Sequence, residues 1–312
     1  MRGIFRSSVH QLSRRNLLLA SGALALGCKS EERSVPTERA VDLIVPAMQT
    51  RDGAGVRLRR SLGSGALGML DPFLLLDEIH SSDPRDYLAG FPTHPHRGFE
   101  TVTYMLNGAM VHRDSMGNHG RLGPGSAQWM TAGHGIVHSE MPKEEGGELW
   151  GFQLWVNLPA RQKMRTPRYQ DIAPERIPEA QLGKARVRVV AGRFGSSVGP
   201  VQGIVTEPQM LDVSLAPGGS FRHTVVTDDN AFVYALSGST RLGGREVSAG
   251  ELAVLGRGDV IAARSEAGGR FLLLSARPIR EPVARRGPFV MNTEAEIERA
   301  ISDYRAGRLV SG

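Results

Sequence analysis

Cysteine is almost missing from this 312-residue chain. Cys28 stands alone, so no intramolecular disulfide framework can form. Aromatic residues are sparse at 6%. No uncharged apolar run reaches the roughly 18 residues of a membrane-spanning helix. No concentrated basic block is present either, so no nucleic-acid partner is in view. The net charge of +6 owes four units to Arg2, Arg6, Arg14 and Arg15, which lie in an acid-free stretch; without residues 1–27 the balance is +2. What is present is 40% hydrophobic residues, enough for a sizeable core. The 38 glycines show no G-X-Y period and fit many short strands joined by tight turns.

Ser13-Arg14-Arg15-Asn16-Leu17-Leu18 forms a twin-arginine pattern ahead of an uncharged stretch from Leu17 to Gly27. That stretch suits the core of a signal peptide and is too short to span a bilayer. Residues 1–27 are therefore expected to be an export signal, of the kind that carries proteins already folded. Cys28 follows Ala25-Leu26-Gly27, which resembles a lipoprotein box with Ala25 where leucine is usual. Cleavage after Ala23-Leu24-Ala25 is the competing reading and leaves a soluble periplasmic protein. A solitary exported thiol favours lipidation at Cys28 and membrane attachment through it. Either way the protein is expected outside the cytoplasm, in the periplasm or anchored as a lipoprotein. Residues 28–40 read as a tether.

From residue 41 the pattern turns to β-structure. Phe99 to Leu106 is β-branched and aromatic, and Asn107-Gly108 after it predicts a hairpin. Strands are also predicted over Gln128–Thr131, Ile136–Met141 and Leu149–Leu158. Tyr104-x-Leu106-x-Gly108 matches Tyr234-x-Leu236-x-Gly238 at an offset of 130, and Gly123-Pro124-Gly125-Ser126 matches Gly256-Arg257-Gly258-Asp259 at 133. The expected fold is all-β, two jelly-roll-like barrels with a short C-terminal helix. The expected divisions are a first barrel at 41–165, a Pro-rich linker at 166–190, a second barrel at 191–280 and an extension at 281–312. Thr293-x-x-Glu296 opens that helix as a capping box, with Ile297, Ala300, Ile301 and Tyr304 on one face.

Six of the nine histidines fall between positions 94 and 138. In an extended segment His94-Pro95-His96 presents both imidazoles on one side, and Pro95 reinforces that geometry. His138-Ser139-Glu140 does the same with an imidazole and a carboxylate. Three histidines and a carboxylate suit Fe(II), Mn, Ni, Cu, Co or Zn and leave an octahedral metal two open positions. His112, His119 and His134 are candidate substitutes or outer partners, with exposed polar roles expected of His119 and His134 in their Gly-rich loops. Offsets of 130 and 133 carry the four ligand positions to Thr224, Val226, Phe271 and Leu273, with His223 alone nearby. One site per chain is expected, in the first barrel.

Long strings resemble the pirin family, a branch of the two-barrel cupins. They run from Phe91-Pro92-Thr93-His94-Pro95-His96-Arg97-Gly98 through His138-Ser139-Glu140-Met141-Pro142 and Gln153-Leu154-Trp155-Val156-Asn157, then Gly287-Pro288-Phe289-Val290-Met291-Asn292. The resemblance implies iron held by His94, His96, His138 and Glu140, with Glu100 as a supporting residue. It also implies a quercetin 2,3-dioxygenase type of activity on a small aromatic substrate and O2, Glu140 taking the substrate's proton. A non-catalytic, redox-sensing iron protein is the alternative. Phe91, Phe99, Met105, Trp129 and Met130 are candidate apolar lining for a flat substrate, with ordinary barrel core the expected role of most of them.

Overall fold

The structure is a computed structural model and describes residues 36–145 and 147–310. The twin-arginine pattern, Cys28 and most of the 28–40 segment lie outside the described residues. Twelve strands open the described chain: β1 (Val41–Pro46), β2 (Met48–Asp52), β3 (Val56–Leu62), β4 (Phe73–Ser81), β5 (Phe91–His96), β6 (Phe99–Asn107), β7 (Ala109–Asp114), β8 (His119–Leu122), β9 (Ala127–Thr131), β10 (Ile136–Lys143), β11 (Leu149–Asn157) and β12 (Arg168–Ile172). A short helix, α1 (Ala160–Lys163), lies between the last two. After them come β13 (Glu179–Leu182), β14 (Ala185–Ala191), β15 (Arg193–Phe194), β16 (Ser197–Val198), β17 (Gln209–Leu215), β18 (Gly219–Thr224), β19 (Asn230–Leu242), β20 (Arg245–Ser248), β21 (Glu251–Leu255), β22 (Val260–Ser265), β23 (Gly269–Ala276), β24 (Ala284–Arg286) and β25 (Phe289–Met291). The C-terminal helix is α2 (Glu294–Arg305).

Each barrel has one large sheet. The first runs β12-β9-β6-β11-β4-β3-β2 and the second β1-β21-β19-β23-β17-β14-β13, so the strand orders match position by position. In the first barrel β5-β10-β7-β8 closes the other side. In the second, β18, β22, β20 and the far half of β19 do so. Strand β10 shows the alternation of a half-buried strand, whereas β4 and β6 are buried along most of their length. The cause is a shared core between the large sheets, where Trp129, Phe152 and Phe73 meet Phe232, Tyr234 and Leu272.

Several expected boundaries shift. Strand β1 pairs with β21, so residues 41–46 belong to the second barrel's sheet, while β12 pairs with β9 and closes the first. The 166–190 segment is not a linker, because it holds β12, β13 and nearly all of β14. Its prolines sit where strands or turns begin, positions that need no backbone donor. The second barrel accordingly starts before residue 191. Residues 36–40 are no tether: Arg39 is buried and donates to Gly258, Asp229 and Val226 carbonyls. The 281–312 extension returns to the first barrel. There the Val290 N–H donates to the Arg97 carbonyl, and buried Lys163 donates to the Gly98 and Val290 carbonyls and to Asn157. Helix α2 has its capping box and buries Ile297 and Ala300, with Tyr304 exposed.

The repeat has a structural meaning. Asn107-Gly108 makes no hairpin; it carries the chain from the large sheet at β6 into the opposite sheet at β7. Gly238 does the same inside β19. Both glycines have positive φ, +72° and +66°, and a Cβ on either meets a carbonyl oxygen within 2.7 Å. The repeated tyrosines lie between the barrels. Tyr104 donates to Asp212 across the interface at 2.7 Å, and Tyr234 donates to Glu78 at 2.6 Å. The second match is corrected. Gly123–Ser126 precedes β9, but Gly256–Asp259 precedes β22, whose counterpart is β10. Gly133-His134-Gly135 is therefore the partner of Gly256-Arg257-Gly258, an offset of 123, and Gly135 and Gly258 share φ near +153° and +154°.

Candidate metal centre

Strands β5 and β10 pair with His94 opposite His138. Pro95 falls at a position whose side chain points away from the cluster, and the i, i+2 spacing puts His96 beside His94. The register slips between His138 and Glu140, which stands opposite Phe91. One ring nitrogen from each of His94, His96 and His138 lies within 4.8 Å of the others. Glu140 completes the floor, with Oε2 at 4.0 Å from His138 Nε2. Its carboxylate is positioned from β6 and β11. Gln153 Nε2 donates to Oε2 at 3.1 Å, and the Thr103 hydroxyl sits 2.9 Å from Oε1 and 2.8 Å from Gln153 Oε1.

His94 Nδ1 donates to the Pro92 carbonyl at 2.8 Å, and its Nε2 lies 3.0 Å from His96 Nε2. His96 Nδ1 and both nitrogens of His138 are buried without partners. Burial first, then the neighbouring imidazoles, pushes His96 and His138 well below the ordinary histidine range. Converging ring nitrogens, with His96 and His138 held neutral by burial and both nitrogens of His138 without a partner, fit a transition-metal cation.

Comparison with known proteins agrees with this geometry. The Pirin family model matches residues 55–156, and the model of the pirin C-terminal cupin domain matches residues 210–310. The chain belongs to the pirin family. A pirin-like protein of Caulobacter vibrioides is 47% identical over 86% of this chain and 99% of its own length. Human pirin is 40% identical over 86% of this chain and 93% of its own. The crystal structure of a quercetin 2,3-dioxygenase from Acinetobacter baumannii matches with a TM-score of 0.81 and 32% identity, covering 88% of this chain and 99% of that one. The two barrels are thus the two cupin domains of a pirin.

In this pirin His94, His96 and Glu140 line a cleft of about 660 Å³, with His138 buried behind them. Phe91 lines its mouth as expected, but the other candidates do not. Phe99 is buried behind the cleft against His96 and Trp155, Met105 and Met130 lie in the first barrel's core, and Trp129 fills the core between barrels. Trp155, Leu75, Arg60 and Arg285 form the walls instead. Glu100 stays apart from the histidines. It accepts from Trp129 at 3.0 Å and Thr131 at 2.7 Å, and burial raises its pKa. His112 is buried opposite Glu140 with neither ring nitrogen bonded, whereas His119 is exposed and His134 offers its carbonyl to Arg97. Thr103 and Gln153 escaped attention as site residues. Their one sequence signal is polarity inside otherwise apolar strands.

Proposed function

We propose that this pirin is a metal-dependent dioxygenase of the quercetin 2,3-dioxygenase type, opening the ring of a flavonol-like substrate with O2 at an iron site. The observation that carries the reading is the convergence of three imidazoles beside a hydrogen-bonded carboxylate, with His94, His96 and Glu140 lining one cleft. The likeness to the A. baumannii quercetin 2,3-dioxygenase supports it. Bound Fe(II) supplies Lewis acidity and exchangeable positions for small ligands. His94, His96 and His138, together with Glu140, would hold it. Glu140 is the catalytic base, accepting the proton of the substrate's enolic hydroxyl. Gln153 and Thr103 keep its two oxygens aimed, and Gln153 donates to the carboxylate before that transfer. Trp155 and Phe91 cover the flat ring and keep water from its face.

The test is oxygen consumption by the iron-loaded protein with quercetin as substrate. Uptake that scales with iron content is expected. Full iron occupancy without uptake across several flavonols and catechols overturns the reading and favours a sensing role. Export through Arg14-Arg15 and acylation of Cys28 are part of the same proposal, supported by the sequence pattern. Replacing both arginines with lysine should retain the protein in the cytoplasm; unchanged fractionation overturns it.

A further inference from the structure

The cleft walls hold two arginines in unlike circumstances. Arg60 is satisfied within the protein. Its Nε and Nη2 donate to the two oxygens of Asp77, each at 2.7 Å, and Nη2 also reaches Asp52 at 2.7 Å. Arg285 has no carboxylate within ion-pair distance among the described residues. Its Nη1 donates to the Leu74 carbonyl at 3.2 Å, and its guanidinium carbon lies 4.7 Å from the centre of a Trp155 ring. Most of its five planar donors are therefore left for the cleft. Burial and the neighbouring charge of Arg60 lower its pKa against the attraction of Asp77 and Asp52.

Arg285 comes from an unexpected place in the chain. It belongs to the β24–β25 hairpin, which the C-terminal extension folds back onto the first barrel, where Gly287 and Pro288 form cleft wall beside it. A guanidinium laid on an indole, with its donors unspent, is suited to recognise a carboxylate at the edge of a planar ring. Asp52 and Asp77 attract Arg285 from a distance, but Arg60 holds both and neither reaches it as an ion pair.

We propose that Arg285 is a specificity-determining residue, and that the substrate class of this cleft is a planar aromatic enol carrying a carboxylate. The enolic hydroxyl lies toward Glu140, the ring along Trp155, and the carboxylate on Arg285. The proposal rests on the reading of the cleft as a substrate site.

Calorimetric titration of the metal-loaded full chain, kept free of oxygen, tests it with 3-hydroxyflavone and its 4′-carboxylate. The carboxylate is expected to bind at least about tenfold more tightly, as a charge-assisted hydrogen bond allows. Arg285→Gln should erase that preference and Arg285→Lys restore part of it, lysine supplying charge without the planar fork. Equal affinities in the native protein, or a preference that survives Arg285→Gln, overturn the proposal. Oxygen uptake separates the two readings. An Arg285-dependent preference without uptake keeps the anion site and removes the dioxygenase. Uptake with no preference does the reverse.

Discussion

The two barrels share one topology and differ at a handful of inward positions. Where β5 and β10 set His94 against His138, β18 and β22 set His223 against Ile261. The corrected alignment of Gly133–Glu140 with Gly256–Ala263 puts Ile261 at the place of His138 and Ala263 at that of Glu140. In the same frame His96 is replaced by buried Val225. The surviving imidazole is satisfied locally. His223 Nε2 pairs with Gln209 at 2.9 Å, and its ring lies near Phe194 and Phe221. Three apolar replacements turn a ligand cluster into ordinary core without disturbing the strands. Scaffold and chemistry are therefore separable here. Backbone pairing and the tyrosine latches make the barrels alike, and side chains on two short strands make one of them reactive.

The comparison sharpens most at the histidines. His138→Ala should cost metal affinity more than the roughly 100-fold penalty of losing an outer partner, while His223→Ala leaves metal content unchanged by elemental analysis. Metal loss from the His223 variant would break the contrast. A smaller effect tests the likeness. The latches are near mirror images: Tyr104 bonds Asp212, which Arg270 also holds, and Tyr234 bonds Glu78, which Arg59 holds. Tyr104→Phe and Tyr234→Phe should each lower unfolding free energy by about 2 kcal/mol, each removing a buried hydrogen bond to a charged group. Urea denaturation measures both. A cost confined to one tyrosine would show that the barrels are joined by one latch only.

The ligand strings were legible because i, i+2 spacing on an extended segment fixes a shared face with no knowledge of partners. The tyrosine repeat was legible too, although its role between barrels was not. Positions that depend on pairing stayed hidden. Thr103 and Gln153 reach Glu140 only because β6 and β11 pair in register. The Gly123 match misled for the same reason, since two similar turns lie at different points of the topology. Asn107-Gly108 carries hairpin chemistry, yet the strands on either side find better partners in separate sheets. Arg285 lies about 190 residues from His94 along the chain, beyond any local pattern.

The placement of β1 in the second barrel's sheet has a consequence for synthesis. As the chain grows from its N-terminus, the first barrel's sheet keeps an open edge until Arg168–Ile172 emerges. Strand β1, made earliest, must wait for Glu251–Leu255 before it has a partner. A bare edge invites pairing with other chains, and here it is exposed for most of translation. Cutting the chain between β12 and β13 leaves the first sheet with all its strands, strips the second of its edge strand, and leaves β1 unpaired on the first fragment. Mixed together, such fragments have every reason to find one another.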